Sequence, residues 1–172
     1  MSQFQVLRIG HRPERDKRIT THVALTSRAF GAYRMYLSKP DSRVIKTIDD
    51  VVSKFGGDFE VEPLSNPRKF AKNWEGRLVH LTMFGLPFED FEDKLKEEQS
   101  PLLFIVGAGK VPRWAFEYAD YNISIGNQPH SEIAALSITL SRINQNYVSQ
   151  EFEGPLQVIP SSDHRKMIDT SR

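Results

Sequence analysis

The chain has 172 residues, 39% hydrophobic and 26% charged, with 23 Lys+Arg against 22 Asp+Glu and a formal net charge of +1. This composition suits one soluble globular domain with a short appendage, and any nucleic-acid binding must come from local clustering of cations. No cysteine is present, which excludes disulfides, a thiol nucleophile and thiolate metal sites and agrees with a cytoplasmic home. No apolar run is long enough to span a membrane, and the start, Met1-Ser2-Gln3-Phe4-Gln5, lacks the basic and apolar regions of a signal peptide.

Phe4 to Ile9 reads as a short strand ending at Gly10. The densest basic stretch follows, His11-Arg12-Pro13-Glu14-Arg15-Asp16-Lys17-Arg18. Thr20-Thr21-His22 then open a helix through Val23, Leu25, Ala29 and Phe30, closed by Gly31. Arg34 to Leu37 is a second strand. Ser42 can cap a helix from Arg43 to Phe55, whose Val44, Ile48, Val51, Val52 and Phe55 follow the 3.6-residue period until Gly56-Gly57 stop it. Phe59 to Glu62 is a third strand, and Asn66-Pro67 starts a short helix with Phe70 and Trp74. Arg77 to Met83 is a fourth strand ending at Gly85; Phe88, Phe91 and Leu95 mark one face of a charged helix. Leu102 to Val106 is the most apolar strand, followed by a short helix with Trp114 and Tyr118. Asn122 to Ile125 is the last strand before a helix from about Ser131 to Asn144, with Ile133, Leu136, Leu140 and Ile143 on one stripe. Alternating strands and helices imply an α/β fold, a mostly parallel sheet with helices on both faces. The expected organisation is a body over 1–150 and an extension or arm over 151–172. Within the extension Leu156 to Ile159 can form a strand, and the rest packs as an arm or frays.

Three segments share one design of strand, glycine and loop: Leu81 to Gly85, Val106 to Val111, and Ile125 to Ser131. In a parallel sheet such loops emerge at one edge, and glycine lets backbone approach a ligand, so together they suggest a shared cleft. Gly107-Ala108-Gly109-Lys110 lacks the spacing of a phosphate or dinucleotide fingerprint. The third loop, Gly126-Asn127-Gln128-Pro129-His130-Ser131-Glu132, is rich in polar groups and opens a helix, where a ligand can meet the helix amino end. Arg8, His11, Arg12, Arg15, Lys17 and Arg18 lie beside only two acids and follow a strand directly, so phosphate contacts from this edge are the expected use. His80, inside an apolar strand, reads as a core histidine. No His/carboxylate set has metal-ligand spacing and no Gly-x-Ser-x-Gly elbow exists, which leaves hydrolase chemistry without support.

These blocks resemble the archaeal tRNA (cytidine-56) 2′-O-methyltransferases of the SPOUT superfamily. The resemblance runs from about Val6 to Pro160 and is carried by Leu7 to Arg18 with Thr20 to Val23, by Val106-Gly107-Ala108 and Lys110-Val111-Pro112, and by Gly126 to Glu132. The family usually has glutamate where this chain has Gly109. The resemblance implies a SPOUT fold with a C-terminal trefoil knot, a rare exception to the rule that chains do not thread their own loops. It also implies a homodimer, and S-adenosyl-L-methionine as cofactor with tRNA as partner. It places the cofactor on Leu81, on Gly107, Ala108, Gly109, Lys110 and Val111, and on Ile125, Gly126, Asn127, Gln128, Pro129, His130, Ser131 and Glu132. Related enzymes carry an arginine six residues after an asparagine. Here His22 takes the asparagine's place and Arg28 the arginine's, so the resemblance makes Arg28 the catalytic residue that orients or deprotonates the ribose hydroxyl. The basic block (Arg8, His11, Arg12, Arg15 and Arg18) would hold RNA. A SPOUT enzyme with another RNA target and a non-catalytic RNA-binding module remain as alternatives.

Overall fold

The computed structural model describes residues 3–171; Met1, Ser2 and Arg172, the outermost residues of the amino-terminal stretch and of the tail named above, lie outside the described residues. Six strands form one parallel sheet: β1 (Phe4–Ile9), β2 (Arg34–Leu37), β3 (Glu60–Pro63), β4 (Arg77–Pro87), β5 (Leu102–Gly107) and β6 (Tyr121–Ser124), in the order β3-β2-β1-β5-β4-β6. The chain fills one half of the sheet with β1 to β3. It then crosses beyond β1, leaving one place that β5 later takes. Around that reversal of direction the carboxyl ends of neighbouring strands diverge, which is where open parallel sheets bind ligands.

Helices α1 (Pro13–Ala29), α2 (Ser42–Phe55), α4 (Glu92–Glu97) and α6 (Glu132–Ile143) cover one face; α3 (Pro67–Lys72) and α5 (Arg113–Tyr118) cover the other. Strand alternation sorts the core between them. Val6, Phe104 and Val79 pack under α1 and α6, whereas Leu7, Ile105 and Leu78 pack under α3 and α5. No helix among the described residues is long and apolar enough to cross a membrane.

Four elements depart from the expectations above. Helix α1 begins at Pro13, not at Thr20, so Arg15, Lys17 and Arg18 of the basic block lie in its first two turns and Arg12 is its N-cap. Proline occupies the first turn, Glu14 and Asp16 face the positive end of the helix, and Asp16 accepts hydrogen bonds from the Arg12 backbone and side chain at 3.0 and 2.9 Å. Asp41, not Ser42, caps α2 by accepting from the Arg43 N–H at 3.1 Å. Strand β4 continues to Pro87 through a detour, since Leu81 and Leu86 both stand opposite Ile123 and the residues between them loop out of the sheet. Gly85 permits this, because a Cβ there would lie 2.6 Å from the backbone of Asn122 and Ile123. The charged helix is split into a 3-10 turn at Phe88–Asp90 and α4, with Phe88 and Leu95 still pointing into the core.

The tail folds back as an antiparallel hairpin of β7 (Leu156–Ile159) and β8 (Lys166–Asp169), the second strand having given no apolar signal. It is tied to the body where Glu153 bridges Gly56. Gly56 has φ +81°, and a Cβ on it would lie 1.7 Å from the Phe152 carbonyl oxygen. Gly56→Ala is therefore expected to lose about 1–3 kcal/mol and to free the arm. Thermal denaturation and the rate of proteolytic removal of the hairpin measure both effects.

Candidate active site

Three loops meet at the carboxyl edge of β4, β5 and β6 around a cavity of about 570 Å³, a size typical of small-molecule sites. Leu81, Thr82, Met83 and Phe84 come from the β4 detour; Gly107, Gly109, Lys110 and Val111 from the loop after β5; and Ile125, His130, Glu132 and Ala135 from the third loop and the start of α6. Phe116 of α5 closes one side. Asn127 Nδ2 donates to the carbonyls of Met83 and Gly85 at 2.7 and 2.9 Å, locking the third loop onto the first. Ser131 caps α6 by accepting from the Ile133 N–H at 3.1 Å. Of the residues expected to bind cofactor, Leu81, Gly107, Gly109, Lys110, Val111, Ile125, His130 and Glu132 line the cavity. Ala108, Gly126, Asn127, Gln128, Pro129 and Ser131 belong to the supporting loops without lining it. Thr82, Met83, Phe84, Phe116 and Ala135 also line it. The first three lie in the Leu81 to Gly85 segment expected at the cleft, of which only Leu81 was expected to touch the cofactor; Phe116 and Ala135 lie outside all three expected loops.

Behind this wall lies a buried polar chain. Arg8 shares the face of β1 that carries Phe4 and Val6, and it is 0% exposed. Its Nη2 donates to Glu132 Oε1 at 3.0 Å, and its Nε to Thr20 Oγ1 at 3.3 Å. Thr20 Oγ1 lies 2.7 Å from His11 Nδ1, and His11 Nε2 lies 3.0 Å from Asp41 Oδ2. The chain is satisfied when Thr20 donates to Nδ1 and Nε2–H donates to Asp41. Burial pulls the Arg8 guanidinium below its ordinary value, and the Glu132 carboxylate opposes that shift. Arg8 Nη1 is buried without a hydrogen bond.

This corrects the RNA-contact expectation at two positions. Arg8 and His11 are interior groups committed to partners inside the protein, so neither can reach RNA. Arg12 is half exposed and paired with Asp16. Arg15 and Arg18 are exposed on α1 at a spacing that, with His22, forms one stripe.

Arg28 lies apart from the cleft of its own chain. A helix that follows a parallel strand runs back along it, so the last turn of α1 lies at the amino edge of the sheet. From Thr20, beside the cleft wall, to Arg28 is about 12 Å along the helix axis. Arg28 Nη2 donates to the Gly56 carbonyl at 2.7 Å, and its guanidinium stacks 4.2 Å over the Phe152 ring. It lines a separate cavity of about 450 Å³ against the C-terminal arm, and burial lowers its pKa. Within one chain it does not meet the cleft. His80 is buried, with Nδ1 2.9 Å from Asn122 Oδ1 and the ring edge-on to Phe116. Burial lowers its pKa, as befits a core histidine. Among the described residues no cluster of three or more His, Asp or Glu could hold a metal ion.

Comparison with known proteins adds three findings. A family model described as tRNA ribose 2′-O-methyltransferase, aTrm56, matches residues 55–168. The tRNA (cytidine(56)-2′-O)-methyltransferase of Methanopyrus kandleri is 50% identical over 94% of this chain and 94% of its own, and that of Pyrococcus horikoshii is 48% identical over 95% and 84%. Among solved structures, the SpoU methyltransferase AviRb from Streptomyces viridochromogenes, in complex with the cofactor AdoMet, superposes with a TM-score of 0.60 at 13% identity. That match covers 87% of this chain, which spans 63% of that one.

The polar chain behind the cleft has a pH signature. Burial alone would raise the Asp41 carboxyl, but hydrogen bonds from Arg43 and His11 outweigh it and hold the pKa at about 2. A carboxyl depressed on folding stabilises above its unfolded value, near 3.8, and that stabilisation is lost as pH falls through 2. Asp41→Asn should therefore lose about 2 kcal/mol at pH 7. The gap from wild type, read from urea midpoints, should close as pH is lowered from about 4 towards 2.

Proposed function

The chain belongs to the tRNA ribose 2′-O-methyltransferase family. On that premise we propose that it transfers the methyl group of S-adenosyl-L-methionine to the ribose 2′-hydroxyl of cytidine 56 in tRNA. The observation that carries this reading is the meeting of the β4 detour and two strand-to-helix loops around one cavity at the carboxyl edge of the sheet.

The residues present fit the cofactor. Leu81, Val111, Ile125 and Phe116 give the cavity apolar walls for an adenine ring, glycine-rich loops bring backbone donors and acceptors to its edge, and Lys110 offers a cation for a carboxylate end. Gly109 has open space where a side chain would project, so the loop keeps its backbone contribution without the family's usual glutamate. We assign Ala108, Gly126, Asn127, Gln128, Pro129 and Ser131 to shaping the loops. When bound, the cofactor supplies a sulfonium-activated methyl group. The protein's part is to hold the ribose in line with it, exclude water and remove one proton.

Arg12 at the N-cap of α1 and Arg15, Lys17 and Arg18 on it contact RNA phosphates, because they are exposed cations at the edge that holds the cleft. A trefoil knot is what membership of this family supports for the C-terminal half of the sheet. A homodimer is supported by exposed Phe84 and Leu86 beside the cleft and Ile19 and Ile138 on the packed pair α1 and α6. The body spans 1–150, with the arm from 151 onwards. A tRNA substrate supports a cytoplasmic location.

The test is incubation with labelled S-adenosyl-L-methionine and an unmodified tRNA transcript, followed by mapping of the methyl group. Label at the cytidine-56 ribose is expected; label at another nucleotide, or none, overturns the assignment. Replacing Arg15 and Arg18 together by alanine should raise the KM for tRNA about tenfold or more. It should also reduce the slope of log affinity against log salt by about 1–2, with cofactor affinity unchanged by calorimetry.

A further inference from the structure

The reaction just described releases a proton, and Glu132 supplies the one carboxylate among the residues lining the cleft. Three observations define its position. Its Oε1 is fixed by Arg8 Nη2, and Arg8 is anchored from behind by Thr20. Glu132 opens α6 directly after its cap, so its backbone is held as well. Its side chain keeps 31% exposure and lines the cleft, and Oε2 is not among the buried atoms without a partner.

We infer that Glu132 Oε2 accepts the proton of the ribose 2′-hydroxyl, with Arg8 as the positioning residue that aims the carboxylate. This rests on the reading of the cleft as the site of methyl transfer. In the step, the hydroxyl oxygen uses a lone pair to form the new C–O bond as the S–CH₃ bond breaks. The electron pair of that bond stays on sulfur, which becomes a neutral thioether. The hydroxyl proton moves to Oε2, giving a neutral carboxylic acid that later returns the proton to water. A cation and an anion disappear together, a change favoured where water is excluded. A carboxylate is basic enough, because the hydroxyl becomes strongly acidic as its oxygen gains the methyl group.

Other groups serve this role less well. Exposed arginines stay charged and carry no free lone pair for a proton. His130 also lines the cleft, but it is exposed, and its one hydrogen bond is from Nδ1 to the adjacent Ser131 carbonyl at 3.0 Å. Glu132 alone is held by a buried partner whose other bonds would be wasted without it.

Four measurements on the full-length protein test this: single-turnover methyl transfer, cofactor affinity by calorimetry, KM for tRNA, and melting temperature. Glu132→Gln, nearly isosteric, should lower the single-turnover rate about 100-fold or more, while cofactor affinity and KM stay within about threefold and the fold survives. Formate added to Glu132→Ala should restore part of the rate, a rescue that a purely structural role would not show. Arg8→Lys, which keeps a cation, should lose less rate than Glu132→Gln. An unchanged rate in Glu132→Gln overturns the inference, and so does a loss of cofactor affinity as large as the loss of rate. If the wild-type protein neither binds the cofactor nor methylates RNA, the function proposed for the cleft fails first.

Discussion

A guanidinium buried inside an apolar sheet face has to be paired, and the arrangement of this protein around β1 follows from pairing Arg8. Strand alternation puts Arg8 where an apolar side chain would otherwise pack under α1 and α6. Leaving it alone there would be strongly destabilising, because desolvation of an unpaired charge exceeds what packing returns. The protein answers by bringing an acid from the first turn of α6, 124 residues away in sequence, and a hydroxyl from α1. One side chain of β1 thus fixes the amino end of α6 and the middle of α1 relative to the sheet. That amino end is a wall of the cleft. The position of the wall is set by interior electrostatics as well as by the loop chemistry on its surface.

The same logic extends outward to α2. Thr20 passes the network to His11, and His11 to Asp41, which caps α2 and also holds Arg43. Arg43 in turn donates to the Pro13 carbonyl at the start of α1 at 2.7 Å. The basic helix is therefore clamped to its neighbours at its own amino end. The exposed cations of its first two turns stand on a rigid base. For a protein with a net charge of +1, this local fixing of charge is what makes an attractive edge for a polyanion.

Much of this was legible in the residues. The strand and helix alternation, the six sheet strands and the three convergent loops all carry signals that depend on local periodicity and glycine placement. What escaped was whatever local periodicity cannot encode. The basic turns of α1 have no apolar stripe, so periodicity places the helix start at Thr20, although Pro13 with Glu14 and Asp16 marks its true beginning. Arg8 and His11 group with the exposed cations when charge is considered without burial. The apolar neighbours Phe4 and Val6 on the same face of β1 were the available clue. The detour in β4 replaced an expected strand end, since Leu81 to Leu86 looks the same in sequence whether it ends a strand or loops out of one. Strand β8 was silent because Lys166 to Asp169 pairs at the surface and buries little.

Arg28 shows how topology constrains chemistry more tightly than a spacing does. An arginine six residues after a matched position acts at its own chain's cleft only if its helix brings it there. Here α1 leaves the carboxyl edge of the sheet and carries Arg28 away from the cleft of its own chain. What it meets is Gly56 at the end of α2 and Phe152 in the arm, two groups that need a cation to satisfy a carbonyl and cover a ring. A buried arginine used in this way fastens the extension to the body. The cleft and the arm are thus each anchored by one buried arginine, Arg8 at the carboxyl edge and Arg28 at the amino edge. The exposed arginines between them on α1, Arg15 and Arg18, face solvent. Burial separates the roles that the sequence, showing a series of arginines, could not distinguish.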